Sequence, residues 1–431
     1  MKKFWELESI GVVSKEASVH DKFSDTIYKR DSRYEASLPW KEYHPLLLDN
    51  YEVAVSRLNS VLKRLKRNPE LLAEYNRIIN KQSSKGIISE VDPNAEIKVG
   101  RLHYLPHYPV IRKDKQTTKV RIVYDASAKS TGPSLNECLY AGPSLISDIS
   151  DVLMCFRYHR VALSADIAKA FLMLGVAEPD RDVLRFLWVD DPTSEAPRIV
   201  VKHFNRVVFG VTSSPFLLNG TIKYHVTHYE SEDPQFVNEF LNSLYVDDFN
   251  GGKKLMQWID QEEGVPITEP ARFTEEDQTY ATTHLGIKGN AVEEREVLGL
   301  NCHIMRDAFI LRFDWLVSFA KELASTKRSI LRVVAKLYHP LGFMSPLFTA
   351  VKILFQDLCK SKTDWDEHLC DELNFKYTKW LSDLTKVHSF SIDRCYLLNV
   401  KDHVTSLQID GFGDSSETAY AATVYLRIEA M

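Results

Sequence analysis

None of the six cysteines, at positions 138, 155, 302, 359, 370 and 395, stands in a C-x-x-C pair. That scatter argues against a zinc motif or a disulfide framework and reads as reduced intracellular thiols. Long apolar runs are missing as well. The best, Val161 to Val176, is broken by Asp166 and Lys169, short of the roughly 18 residues a membrane span requires, so no membrane partner is expected. The charged start Met1-Lys2-Lys3-Phe4-Trp5-Glu6 leads into no apolar segment, so no signal peptide is expected either. Glycine and proline number only 17 each in 431 residues, and there is neither an internal repeat nor a low-complexity tract, which excludes collagen-like and disordered chains. A large charge excess is lacking too: 54 Lys and Arg against 59 Asp and Glu give a net charge of −5.

What is present is ordinary globular text of mixed type. Tyr51 to Lys66 places Val55, Leu58, Val61, Leu62 and Leu65 at helical spacing, and residues 1–95 are expected to be mostly helical. From about Val99 short β-rich runs take over: Thr117 to Tyr124, Val161 to Ala165, Val183 to Val189, Ile199 to Phe204 and Ser243 to Val246. Within this region Arg101 to Lys129 holds seven cations (101, 112, 113, 115, 119, 121, 129) against two acids (114, 125), a local basic segment that the chain average hides. Residues 252 to 298 are acidic and weakly periodic, and read as a linker or insertion. After Ser329 a helix is expected, with Ile330, Leu331, Val334, Leu337 and Tyr338 on one side, Arg328, Arg332 and Lys336 on another, and His339-Pro340 as its stop. A second helix is expected from Leu347 to Lys360, and Thr405 to Arg427 reads as the first strands of another α/β unit.

The sharpest chemical signal is Tyr245-Val246-Asp247-Asp248, followed by Phe249-Asn250-Gly251-Gly252. Adjacent carboxylates in a regular strand point to opposite faces, whereas at a tight hairpin tip both can face one cavity. Like charges that close raise each other's pKa unless cations neutralise them. A third carboxylate, Asp166, ends the apolar strand Val161 to Ala165. Asp166, Asp247 and Asp248 are therefore the candidate catalytic residues and the candidate ligands of two Mg²⁺ ions, against the plainer reading of Asp-Asp as a solvated turn. Lys119 and Arg121 alternate on one face of their strand, which fits a triphosphate and fits an exposed basic strand equally well. Phe171, five residues after Asp166, would exclude a ribose 2′-hydroxyl from a nucleotide held at the aspartates, or is a core aromatic. Phe209-Gly210 precedes Ser214-Pro215, where Ser214 can cap a helix and Gly210 allows backbone close to a flat base.

In order, Arg121-Ile122-Val123-Tyr124-Asp125, Asp166 with Phe171, Phe209-Gly210 with Ser214-Pro215, and Tyr245-Val246-Asp247-Asp248 resemble the blocks of reverse transcriptases. The text around them resembles Bel/Pao-type LTR retrotransposon polyproteins: Phe4-Trp5-Glu6-Leu7-Glu8, Tyr124 to Lys129 with Ser134-Leu135-Asn136, Thr326 to Leu331, and Pro340-Leu341-Gly342. The resemblance implies an α+β right-hand polymerase with a helical segment at 1–95, fingers and palm at 96–315, thumb and connection helices at 316–400, and a truncated RNase H-like start at 401–431. It implies an RNA-directed DNA polymerase that adds dNTPs to a primer on an RNA or DNA template. Lys119, Arg121, Phe171, Phe209 and Gly210 would bind the substrate, and Arg328, Arg332 and Lys336 the nucleic-acid backbone. Other parts of the polyprotein are implied partners, and the location is cytoplasmic or within a retroelement particle. Two departures stand against full activity. After Gly252 the text runs straight into Lys253-Lys254-Leu255, where relatives have a further palm block, so a catalytically impaired remnant is the alternative. The resemblance makes Asp414 the first metal-binding carboxylate of the RNase H-like start, one ligand being too few for a two-metal site, and with no Asp-Thr-Gly or Asp-Ser-Gly no aspartic peptidase activity is expected.

Overall fold

The computed structural model describes residues 15–31, 33–92, 100–111, 120–252, 294–387, 389–398, 400 and 403–430. The expectations placed on Lys119, on the palm text after Gly252 and on most of the acidic linker lie outside these residues. The chain divides into two units, neither continuous in sequence: the first runs to Ile146 and resumes over Asp166–Leu241, and the second holds Ser147–Ala165 and everything from Asn242 onward.

In the first unit the helix Tyr51–Leu65 buries Ala54, Leu58, Val61, Leu62 and Leu65, the stripe its spacing predicts. The next helix, Pro69–Ser84, starts where Asn68 accepts a hydrogen bond from the Leu71 N–H at 3.1 Å and Pro69 opens the first turn. Residues 1–95 are less uniformly helical than expected. Tyr28–Arg30 and Arg33–Ala36 form a small antiparallel pair, and Arg33–Ala36 also runs parallel to Gly175–Val176. Strand Arg185–Val189, buried along its whole length, pairs with Ile199–Phe204, which carries Ile88–Glu90 on its other edge. Val120–Tyr124 pairs with His107–Ile111. Tyr75, Tyr124, Phe186 and Trp188 surround the buried His107, each with its ring centre within 5.9 Å of the imidazole. His107 accepts from the Tyr75 hydroxyl at Nδ1 and donates from Nε2 to the Leu187 carbonyl at 2.8 Å, and burial holds it neutral with a pKa of about 4.

The second unit contains helix Ile149–Tyr158, strand Ala162–Asp166 as far as Ala165, and a four-stranded antiparallel sheet in the order Glu294–Val297, Leu300–His303, Ala308–Arg312, Ser389–Asp393. The first of these strands lies within the stretch read as linker: Val297 and Leu300 are inward residues of a hairpin turning at Leu298-Gly299, and they pack with Leu153, Phe156, Cys302 and Phe309. Helices Asp314–Lys321, Lys327–Val334, Ser345–Lys360 and Asp371–Val387 enclose a second core built on Leu316, Ile330, Val333, Phe348, Val351 and Leu384. The Lys327 helix ends at Val334, a turn ahead of His339-Pro340. Val404–Ser415 and Tyr420–Ala430 form a long two-stranded ribbon. α+β is the fold class throughout.

A pair of arginines fastens the second unit together. Arg394, only 2% exposed, grips Asp307 through Nε and Nη2 at 2.5 and 2.6 Å. Its remaining N–H groups donate to the carbonyls of Phe156, His159 and Arg160 at 2.9, 2.7 and 3.1 Å, the open C-terminal end of helix Ile149–Tyr158. Arg157 returns the connection, donating to the Arg394 and Asp393 carbonyls at 3.0 Å with its guanidinium 4.0 Å from the Tyr396 ring centre.

Candidate functional site

The aspartate hairpin forms as its residues predict. Leu244–Tyr245 pairs antiparallel with Asp248–Gly252, with Leu244 opposite Phe249 and Tyr245 opposite Asp248. Only Val246 and Asp247 remain for the turn, and Val246 takes φ +60°, a region that β-branched side chains avoid. Asp247 thus sits in the turn itself and Asp248 begins the return strand, so the two neighbours escape the alternation of a regular strand. The base of the hairpin is tight. The Asn250 N–H donates to the Ser243 carbonyl at 2.8 Å, and a Cβ on Gly252 would come within 2.5 Å of the His159 ring.

Strand Ala162–Asp166 completes this sheet, in the order Leu244–Tyr245, Asp248–Gly252, Ala162–Asp166. Asp166 is its last residue, exposed, at the point where the chain passes into the first unit. Carboxylate oxygens are the donor chemistry a hard divalent cation takes. Among the described residues, no three His, Cys, Asp or Glu side chains are gathered as a metal-holding group.

Within the first unit, several of the sequence-predicted residues are joined. Lys169 stands at φ +57° ahead of the short helix Ala170–Met173, which buries Phe171. The Phe171 ring lies 4.2 Å, centre to centre, from that of Phe209, and Phe209 is 58% exposed, so the pair has a buried member and a solvent-facing one. Gly210 is required twice over: its φ is +102°, and a Cβ there would lie 2.3 Å from the Tyr124 carbonyl oxygen. The Phe209-Gly210 loop therefore rests on the end of the strand that carries Arg121. Arg121 is exposed and stands opposite Val110, while Tyr124 is buried.

Asn136 locks this contact, a role that its place in the Ser134-Leu135-Asn136 motif does not announce. Its Nδ2 donates to the Gly210 carbonyl at 3.0 Å and to Ser127 Oγ at 2.8 Å, and its Oδ1 accepts from the Thr212 N–H at 2.8 Å. The readable signal lay one step away. Ser134 and Glu137 form a capping box that fixes the short helix carrying Asn136. Ser214 does not cap its helix. Helix Ser214–Thr227 already includes it, Ser213 takes the cap position, and Ser214 Oγ donates back to the Val208 carbonyl at 2.7 Å.

The basic residues fare unequally. Arg101 lies 3.7 Å above the Trp40 ring and pairs with Asp180 at 3.1 Å, and Lys129 pairs with Glu137 at 2.5 Å. Arg328 is held by Asp366 in a two-bond pair at 2.6 and 2.9 Å. Arg332 and Lys336 both lie over Phe319, at 5.5 and 4.8 Å from its centre, and Lys336 lines a cavity of about 120 Å³ with Gly299, Trp315 and Tyr338. These two remain exposed.

Comparison with known proteins gives a family for the C-terminal part. Residues 326–431 match the model of the Pao retrotransposon-like RNaseH-like domain, in agreement with the Bel/Pao resemblance. The match begins in the helices assigned to the thumb and connection and continues through the ribbon read as an RNase H-like start. Among solved structures, a foamy viral protease-reverse transcriptase in complex with double-stranded DNA aligns over 96% of this chain and 63% of its own, at 12% identity and a TM-score of 0.48. No curated protein matches. No helix among the described residues is long and apolar enough to cross a membrane.

Proposed function

From the premise that this chain is a region of a Bel/Pao-type retrotransposon polyprotein, we propose that it is the RNA-directed DNA polymerase domain, a right-hand polymerase that extends a primer on an RNA or DNA template. The observation that carries the reading is the two-residue hairpin turn holding Asp247 and Asp248, flanked in one sheet by the strand that ends at Asp166. Asp166, Asp247 and Asp248 would hold two Mg²⁺ ions, which when bound supply charge neutralisation at the attacking and leaving oxygens. The remaining work is alignment. Arg121, with Lys119, would hold the triphosphate of the incoming dNTP. Phe209 would offer the exposed face of the aromatic pair, and Phe171 the buried wall that keeps it from yielding to a 2′-hydroxyl. The Asn136 bonds to Gly210 and Thr212 would keep the loop seated. Arg328, Arg332 and Lys336 would meet the nucleic-acid backbone without regard to sequence, Arg328 from an exposed ion pair with Asp366.

A second reading, a catalytically impaired remnant that at most binds nucleic acid, rests on the shortened text after Gly252. Primer extension on a homopolymeric RNA template separates the two. A polymerase extends the primer and loses that activity by at least about a hundredfold in Asp247→Asn; a remnant shows no extension while still retarding the primer-template in a gel. Extension that survives intact in Asp247→Asn would remove the aspartates from the mechanism.

A further inference from the structure

The small sheet near the start of the chain collects more positive charge than it can satisfy. Arg30 and Arg33 stand directly opposite each other across the hairpin pair, and Tyr28 stands opposite Glu35. Like charges in that position destabilise a sheet. Because side chains alternate, Arg33 and Glu35 share a face. Arg181 reaches the same place, with Nη2 3.6 Å from Glu35 Oε2 and Nε donating to the Val176 carbonyl at 2.9 Å. Arg206 completes the group. Its Nη1 lies 3.4 Å from where a Gly175 Cβ would stand, and Gly175 pairs with Glu35 in the parallel ladder. One buried carboxylate, Glu35, thus pairs with Arg181, has Arg206 beside the same Gly175 and shares its strand face with Arg30 and Arg33, and it also accepts from the Tyr28 hydroxyl at 2.9 Å.

The four are not equally employed. Arg33 donates to the Met173 carbonyl at 3.1 Å and Arg181 has Glu35 and Val176. Among the described residues, Arg206 has no carboxylate ion pair. Burial, and then the facing Arg33, hold its guanidinium below the usual range. Arginines arranged to face one another around a single acid, with N–H groups left over, are matched by a planar or tetrahedral oxyanion that takes two of them at once.

We propose that Arg30, Arg33 and Arg206, supported by Arg181, form a binding site for a phosphate group. The phosphate belongs to a nucleic-acid backbone or to a free polyphosphate, and the experiment tells these sources apart.

The first measurement is thermal unfolding of the whole chain in sodium phosphate and in sodium chloride at matched ionic strength. The unmodified protein should melt several degrees higher in phosphate. Arg206→Gln and Arg33→Gln should each lose that increment, and Arg206→Lys should keep part of it. In chloride alone Arg206→Gln should melt no lower than the unmodified protein, because the substitution removes repulsion without breaking an ion pair. A phosphate increment that is absent from the start, or unchanged in both glutamine variants, overturns the site. The second measurement is the salt dependence of binding to a fluorescent single-stranded oligonucleotide. A slope reduced by about 0.7 in Arg206→Gln assigns the phosphate to a backbone. An unchanged slope, with pyrophosphate stabilising the unmodified protein and not the variant, assigns it to a free polyphosphate. Neither measurement uses primer extension, so failure of the polymerase reading would leave this result where it stands.

Discussion

Val246 is the residue whose backbone the site strains. A two-residue hairpin turn needs positive φ at its first position, which glycine or asparagine adopts freely, and valine occupies it at +60°. Holding a β-branched residue there costs about 1–3 kcal/mol, offset in part because glycine would lose more chain entropy on folding, about 0.5–1 kcal/mol. Val246→Gly should therefore raise the stability of the second unit by about 1 kcal/mol, read from its urea midpoint, and lower primer extension because the Asp247 and Asp248 backbone is freer. An unchanged or lower midpoint would mean that the turn is not strained. The aspartates themselves were legible because two adjacent carboxylates amid strand residues are a contradiction that only a turn resolves. Asn136 was not, since its three partners, Ser127, Gly210 and Thr212, become neighbours only after the loop and the strand end meet.

At the scale of elements, the helices with strong apolar periodicity were legible nearly to the residue: Tyr51–Leu65 against an expected end at 66, and Ser345–Lys360 against an expected start at 347. The strands Tyr28–Arg30 and Arg33–Ala36 were not, because they are too short for a period of two to register and gain a partner 140 residues away, Glu35 with Gly175. The Arg394 connection is of the same kind. A single arginine in an unremarkable stretch caps a helix more than 230 residues earlier, and that helix leads into the strand ending at Asp166. Arg394→Met would leave the Asp307 carboxylate and three carbonyls without their donor, a loss of about 3–5 kcal/mol. Lysine should recover little, having no planar fork to bridge Asp307. In a double-mutant cycle, Asp307→Leu placed on Arg394→Met should cost less than the two singles summed. Additive losses, measured by urea unfolding, would show that the pair is not a unit.

At the scale of the whole molecule, buried histidine is unevenly shared between the units. His103 and His107 are each lowered by burial to about 4, and His203 is lowered by burial as well; all three belong to the first unit. In the second unit, among the described residues, only His339 is lowered by burial, with Lys352 adding to the effect. The sign follows from which state takes the proton. Above about pH 6.5 folded and unfolded imidazoles are both neutral and pH has no effect on them. Between about 6.5 and about 4 the unfolded chain binds protons that the folded one refuses, so stability falls as the pH drops, by up to about 1.4 kcal/mol per pH unit for each histidine, and levels off below the folded values. The first unit should therefore lose stability several times faster than the second as the pH is lowered from about 7 to about 4.5. Fluorine NMR of fluorotryptophan-labelled protein reports both at once, with Trp188 buried in the first unit and Trp380 in the second. Their urea midpoints should separate on acidification, Trp188 moving first. His103→Leu should narrow the gap, because the His103 ring nitrogens are buried with no hydrogen-bond partner among the described residues and leucine has nothing to protonate. Midpoints that move together across this range would show that acid acts on the chain through its carboxylates and not through these imidazoles.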